Sequence, residues 1–278
     1  MIAIRQIIAP VDFSELSAHA LRYAFMLASR WEAGLTAAYA DPFTPPPYFT
    51  QHRLAALKLE FEQAKAESEE ALREFVAAAL GHAGRAVTVR VAEALPADGI
   101  HRMAAETAAD LIVMGTHGRS GVNRFLLGSV AERVLRESSI PVLTVGARSS
   151  HPTGIREILC PVNDTPAARR ALAWATALAA RFGASVTALH VQEPAGAHPI
   201  EDLCAWLPEQ EKRACTLREL HREGDAAGEI VAMSRESGCE LLVLGSEHRA
   251  FFDSTVVGAT VARVVRHARC PVLTAPAA

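Results

Sequence analysis

The residues with the clearest chemical potential lie between positions 115 and 130. Gly115-Thr116-His117-Gly118-Arg119-Ser120-Gly121 is followed, after a six-residue interval, by Gly128-Ser129-Val130 at the expected start of a helix. Glycines admit positive φ and let a ligand come close to the backbone, so several N–H groups can converge on phosphate oxygens. A helix amino terminus adds free N–H groups and the positive end of a dipole, and the Ser129 hydroxyl is a further donor. Asp12, upstream, is a carboxylate able to accept hydrogen bonds from a ribose or a base, and the turn near Ala40 can pack on a base. This is a nucleotide site in outline. It is neither a GxxxxGK[ST] phosphate loop nor a GxGxxG dinucleotide fingerprint, because the chain contains neither pattern.

Such residues must be held by regular elements, and those are legible through an internal repeat. Residues 9–40 match residues 160–191 at an offset of 151, with Pro10, Leu21, Ala28 and Thr36 facing Pro161, Leu172, Ala179 and Thr187. Residues 111–144 match 241–274 at an offset of 130, so the second copy has a shorter middle. Strands are expected near 4–10, 35–40, 86–91, 111–115 and 141–145. They are short, almost wholly apolar runs, as where helices cover both faces of a sheet. Alternation with helices implies right-handed crossovers and an open parallel sheet, with ligands outside the carboxyl ends of its strands. The fold class is α/β: two tandem, open-twisted, five-stranded parallel-sheet domains with helices on both faces, over residues 1–147 and 154–278. Between 51 and 80 the first copy spaces Leu54, Leu57, Phe61, Ala64, Leu72, Phe75 and Leu80 at helical intervals among Glu60, Glu62, Glu67, Glu69, Glu70 and Glu74, an amphipathic helix. The second copy has only 200–221 there, with Pro208 inside it, so its helix should be short or broken. The proline-rich stretch 41–49 reads as a surface loop.

Composition bounds the function classes. The chain has 278 residues, 28 basic and 31 acidic, mixed along its length, which argues against a nucleic-acid or anionic-membrane partner. No signal peptide or long apolar run is read, and the expected location is the cytoplasm. Cys160, Cys204, Cys215, Cys239 and Cys270 form no CxxC pair and are expected to be small buried or half-buried hydrophobes. His198, Glu201, Asp202 and Cys204 lack a recognised ligand spacing, so no metal site is expected. Asp225 and Glu229 read as the cap and first-turn charge of a helix. No catalytic residue is assigned: His117 could donate to a ligand, but it has no partner carboxylate, and no GxSxG elbow occurs.

The chain resembles the universal stress protein family in a tandem two-domain form. The family motif G-2x-G-9x-G-[ST] is met by Gly115, Gly118, Gly128 and Ser129, and PVDFSELS at 10–17 is similar to the family's first strand and loop. The resemblance implies an adenine nucleotide alpha hydrolase-like fold and binding of ATP, with or without Mg2+, in members that keep the motif. It places Asp12 at the adenine or ribose with Val11 beside it, Ala40 at the base, and Met114 and Gly115 at the site floor. Gly118, Gly128, Ser129 and Val130 would meet the phosphates, within a loop that also holds His117, Arg119 and Gly121; Arg119 and Arg124 could screen phosphate charge. In the second copy Gly245 and Gly258 remain, but His248, Ala259 and Asn163 replace the second glycine, the serine and the aspartate. Phosphate binding is therefore not expected there, and an interface role is the leading reading. The family's habit of dimerising implies an intramolecular pseudo-dimer with PVLTV and PVLTA as contact edges; a homodimer of such pairs and an unidentified protein partner are further options. The function expected is a nucleotide-dependent regulatory or stress-response binding module, not an enzyme. The alternatives are a slow ATPase or nucleotide-transfer enzyme, or an interaction protein that needs no nucleotide.

Overall fold

The computed structural model describes residues 2–41, 51–118, 127–193, 202–247 and 259–277, with residues 51–61 described as backbone only. The first repeat runs β1 (Gln6–Pro10), α1 (Glu15–Trp31), β2 (Gly34–Asp41), α2 (Gln51–Leu80), β3 (Thr88–Glu93), α3 (Pro96–Glu106), β4 (Leu111–Gly115), α4 (Ser129–Glu137) and β5 (Val142–Val145). The second runs β6 (Glu157–Pro161), α5 (Pro166–Phe182), β7 (Ser185–Gln192), α6 (Glu209–Arg213), β8 (Thr216–Glu223), α7 (Ala226–Glu236), β9 (Leu241–Ser246), α8 (Ala259–His267) and β10 (Val272–Pro276). All five expected strands of the first repeat are present, β1 and β3 each starting two residues late. Asp41 belongs to β2, and the rest of the proline-rich stretch lies outside the described residues.

All ten strands form one sheet in the order β3-β2-β1-β4-β5-β10-β9-β6-β7-β8. Within each repeat the neighbours are parallel, and strand order reverses between β1 and β4 and between β6 and β9. Two apolar layers sandwich the sheet. One joins α1, the end of α2, α5 and Leu203–Leu207; the other joins α3, α4, α7 and α8. Both layers cross from one repeat into the other, so the repeats share their core.

The local sequence accounts for the helix ends. Ser14 caps α1 by accepting from the Ser17 N–H at 3.1 Å, and Thr165 caps α5 by accepting from the Ala168 N–H at 3.2 Å. Both helices end on a left-handed residue at equivalent positions, Glu32 at φ 54° and Gly183 at φ 68°. Asp225 caps α7 as expected, accepting from the Gly228 N–H at 2.8 Å. Among the described side chains of α2, the first buried one is Leu72: Ala64, expected on the apolar face, is exposed, as are Glu62, Glu67, Glu70 and Glu74. Leu72 and Val76 reach the core and Phe75 packs against it, while Leu54, Leu57 and Phe61 lie outside the described side chains. The second repeat substitutes the five-residue α6, which starts after Pro208, for this thirty-residue helix.

The repeats meet as the sequence leads one to expect, through PVLTV and PVLTA. β5 and β10 pair antiparallel with Leu143 opposite Leu273, its own repeat equivalent. The Thr144 hydroxyl donates to the Val272 carbonyl and the Thr274 hydroxyl to the Val142 carbonyl, both at 3.1 Å. On the α1 side, the rings of the equivalent residues Trp31 and Phe182 meet at a tilt of 56° with centroids 5.9 Å apart. The Arg30 guanidinium lies 5.2 Å from the Phe182 ring and that of Arg181 5.8 Å from the Trp31 ring, reciprocal cation–π contacts. Each contact recurs with the partners exchanged, which is what a self-complementary two-fold interface requires.

Candidate functional site

In the first repeat the crevice opens where β1 and β4 end. Strand parity puts Asp12 on the same face as Ile8, with Met114 and Ala40, on the α3 and α4 side of the sheet. Val11 falls on the opposite face, with its side chain in the other core and its N–H bonded to the Ala38 carbonyl at 2.8 Å. It can offer a ligand only backbone atoms. Met114 is buried in the floor, and half-buried Ala40 packs towards Gly99 of α3.

Asp12 is fixed by the start of α1. Its Oδ1 accepts from the Ser14 N–H at 3.1 Å and the Ser14 hydroxyl at 2.6 Å. Its own N–H points to the Ser17 hydroxyl at 3.4 Å. Phe13, between these residues, has φ 63°, a left-handed conformation that costs a non-glycine residue of order 1–2 kcal/mol. Edge-to-face contacts with Tyr39 at 4.9 Å and Phe75 at 5.5 Å help hold it. The sequence reading missed this aromatic cluster. A left-handed phenylalanine carries no sequence signal, and its two partners come from separate elements, β2 and α2.

The other Asp12 oxygen faces Gly118. A Cβ on Gly118 would stand 2.2 Å from Asp12 Oδ2, so the backbone can pass there with Asp12 in its present place only as glycine. The segment that begins at His117 returns at Gly128, whose N–H donates to the Thr116 carbonyl at 2.8 Å. A Cβ on Gly128 would come within 3.1 Å of the His117 Cα. Thr116, buried and not singled out from sequence, holds this neck: its N–H donates to the Val145 carbonyl at 3.0 Å and its hydroxyl lies 2.9 Å from His117 Nδ1. Ser129 is the exposed first residue of α4, with Val130 half-buried behind it, and among the described residues no side chain caps the helix. Arg119, Gly121 and Arg124 lie outside the described residues.

The reason for the glycines needs correction. None of Gly115, Gly118 and Gly128 is among the residues of positive φ. They answer to close approach, and different neighbours demand each one. A Cβ on Gly115 would meet Leu16 of α1 at 3.0 Å, and one on the equivalent Gly245 would meet the Ala167 backbone of α5 at 2.4 Å. The first glycine of the motif thus seats the first turn of the repeat's leading helix. That accounts for its survival in the second copy, where the motif's second glycine and its serine are replaced. Asn163 there keeps the local geometry of Asp12: its Oδ1 accepts from the Thr165 hydroxyl at 2.7 Å, as Asp12 accepts from Ser14. The charge is gone, and Ala259 opens α8 without a hydroxyl; His248 and Gly258 lie outside the described residues.

Among the described residues no group of three or more His, Cys, Asp or Glu is placed to hold a metal ion. No described helix is long and apolar enough to cross a membrane. Cys160, Cys204, Cys239 and Cys270 are buried and Cys215 is half-buried, as expected.

Comparison with known proteins agrees with the motif. The model of the universal stress protein family matches twice, over residues 3–146 and 154–276. A universal stress protein of Mycolicibacterium smegmatis is 27% identical over 289 residues, spanning 96% of this chain and 95% of its own length. Universal stress protein MJ0531 of Methanocaldococcus jannaschii is 36% identical over 144 residues, 51% of this chain and 81% of its own. Among solved structures, a universal stress protein from Archaeoglobus fulgidus has the same fold, with a TM-score of 0.73 at 20% identity over 98% of this chain and 96% of that one. The chain belongs to the universal stress protein family, with the family's unit present twice in tandem.

Proposed function

We propose that the first repeat binds ATP in the crevice between β1 and β4, and that the protein acts as a nucleotide-dependent regulatory binding module. The observation that carries this reading is the approach of the Gly118 backbone to the Asp12 carboxylate, next to the amino terminus of α4, where Gly128 holds the cap position and no described side chain caps the helix. Asp12 would accept from the ribose or base, Met114 and Ala40 would line the base, and the first-turn N–H groups of α4 with the Ser129 hydroxyl would take the phosphates. We read this as binding without catalysis, because the Asp12 oxygen nearest α1 already serves Ser14 and the groups assigned to the phosphates, backbone N–H and a hydroxyl, are donors rather than bases. For the second repeat, the neutral Asn163 and the missing hydroxyl at Ala259 favour an interface role.

Calorimetric titration of ATP with magnesium into the full chain, beside the Gly118→Ala, Ser129→Ala double variant, tests both parts. One site per chain, lost in the variant and showing little turnover in a hydrolysis assay, is the expected result. No binding to the intact chain sinks the proposal, two equal sites overturn the reading of the second repeat, and rapid hydrolysis overturns the binding-module reading.

A further inference from the structure

Five cysteines are present and two of them touch. Cys239 lies between α7 and β9, Cys270 between α8 and β10, and their Sγ atoms are 3.6 Å apart. Both are buried, at 7% and 8% exposure. The backbones that carry them are already fastened side by side: β9 and β10 are parallel neighbours with Leu242 opposite Val272, and the Leu242 N–H donates to the Pro271 carbonyl at 3.0 Å. A disulfide needs its sulfurs at about 2.05 Å, so they must close by roughly 1.5 Å, a distance within reach of side-chain rotation on adjacent strands. The first repeat carries Ala109 and Ile140 at the equivalent positions, so packing this corner of the fold does not require sulfur.

We propose that Cys239 and Cys270 are an oxidative modification site, at which a hydroperoxide joins them into a disulfide that clamps β9 to β10 at their amino-terminal ends. The step balances as a two-electron oxidation. One sulfur, as thiolate, attacks a peroxide oxygen, the O–O bond breaks, and a sulfenic acid forms; the hydroxide released takes up a proton to give water. The second sulfur then displaces the sulfenic hydroxyl, which leaves as a second water, so two thiols and one hydrogen peroxide yield one S–S bond and two waters. Contact with Cys239, followed by burial, holds the Cys270 thiol well above its ordinary range. The reaction is therefore slow and waits on a local opening of the turns that lead into β9 and β10. Once formed, the link closes a loop that contains β9 and α8, and a loop of this size stabilises the folded state chiefly by restricting the unfolded chain.

The test uses the full reduced chain, incubated with hydrogen peroxide under native conditions, then unfolded, alkylated and digested with trypsin. Cleavage after Arg235, Arg249 and Arg269 puts Cys239 on residues 236–249 and Cys270 on residues 270–278, so the cross-linked pair is unambiguous by mass. The expected result is that two of the five thiols escape alkylation, that these two peptides are joined, and that the thermal midpoint rises by roughly 4–8 °C. Dithiothreitol should reverse the rise, and Cys239→Ala, which installs the first repeat's residue, should abolish it; Cys270→Ile serves if that variant folds poorly. Five alkylated thiols after oxidation overturn the proposal, as does a link through Cys160, Cys204 or Cys215, or sulfinic acid in place of the disulfide. A correct link with an unmoved midpoint refutes the clamp.

Discussion

Gly245 and Gly118 occupy neighbouring places in the two copies of one motif, yet the obstacles to a side chain differ in kind, and the same substitution should fail in two different ways. In Gly245→Ala the new methyl would stand 2.4 Å from the Ala167 carbonyl carbon and 2.6 Å from the Ala168 nitrogen. Ordinary contact between such atoms begins near 3.5 Å, so the first turn of α5 must retreat by about 1 Å from β9. Overpacking of this sort costs roughly 1–3 kcal/mol, offset by about 0.4–1 kcal/mol from stiffening the unfolded chain. A net loss of about 1–2 kcal/mol should lower the thermal midpoint by roughly 2–8 °C. In Gly118→Ala the methyl meets only the Asp12 carboxylate, at 2.2 Å from Oδ2, and a side chain can swing where a backbone cannot. Stability should change by less than about 1 kcal/mol, whereas ATP affinity should fall at least about tenfold, or about 1.4 kcal/mol, because Asp12 leaves its place. Urea unfolding followed by the fluorescence of Trp31, Trp174 and Trp206 measures the first quantity, and calorimetry the second. Equal destabilisation by the two variants, or a Gly245→Ala protein as stable as the parent, would refute the packing argument.

Two further outcomes are expected. Glu32 ends α1 in the left-handed conformation that Gly183 adopts at the equivalent end of α5, so Glu32→Gly should stabilise the chain by up to about 1 kcal/mol in the same urea assay. Burial pushes the His19 and His101 imidazoles below their ordinary value of 6.5, against a hydrogen bond to the Ser149 carbonyl for the first and the charge of Glu137 for the second. The unfolded chain then binds protons more readily than the folded one. Stability should hold above about pH 6.5 and fall as the pH drops through that value, a slope that His19→Gln and His101→Gln should reduce.

The sequence carried the fold because its signals are local or duplicated. Apolar runs such as LIVM and PVLTV announce strands whatever surrounds them, and the repeat exposes the pairing of β5 with β10 as a relation between equal parts. Asp225 was legible as a cap for the same reason: its bond closes within three residues. What escaped depends on encounters between distant segments. The contact of Gly118 with Asp12 is invisible in either stretch alone, so its glycine was credited to a positive φ it does not have. The Phe13, Tyr39 and Phe75 cluster and the contact between Cys239 and Cys270 likewise arise only when separate strands and helices come together. Ala64 shows the converse error, since helical spacing alone does not reveal that the described side chains of α2 stay unburied until Leu72.

The seam between β5 and β10 bears on how such a protein can change over generations. In a dimer of two identical chains, every mutation arrives in both halves, and a lesion at one site is a lesion at each. Here the halves are joined by backbone hydrogen bonds that tolerate many side chains, supplemented by a threonine and a tryptophan–arginine or phenylalanine–arginine set on each side. Within one covalent chain, the second copy is free to lose its aspartate and serine while the first keeps them, and the shared core still closes. Fusion thus separates inheritance of the scaffold from inheritance of the site, leaving one half as a template from which a new specificity can be selected without loss of the old.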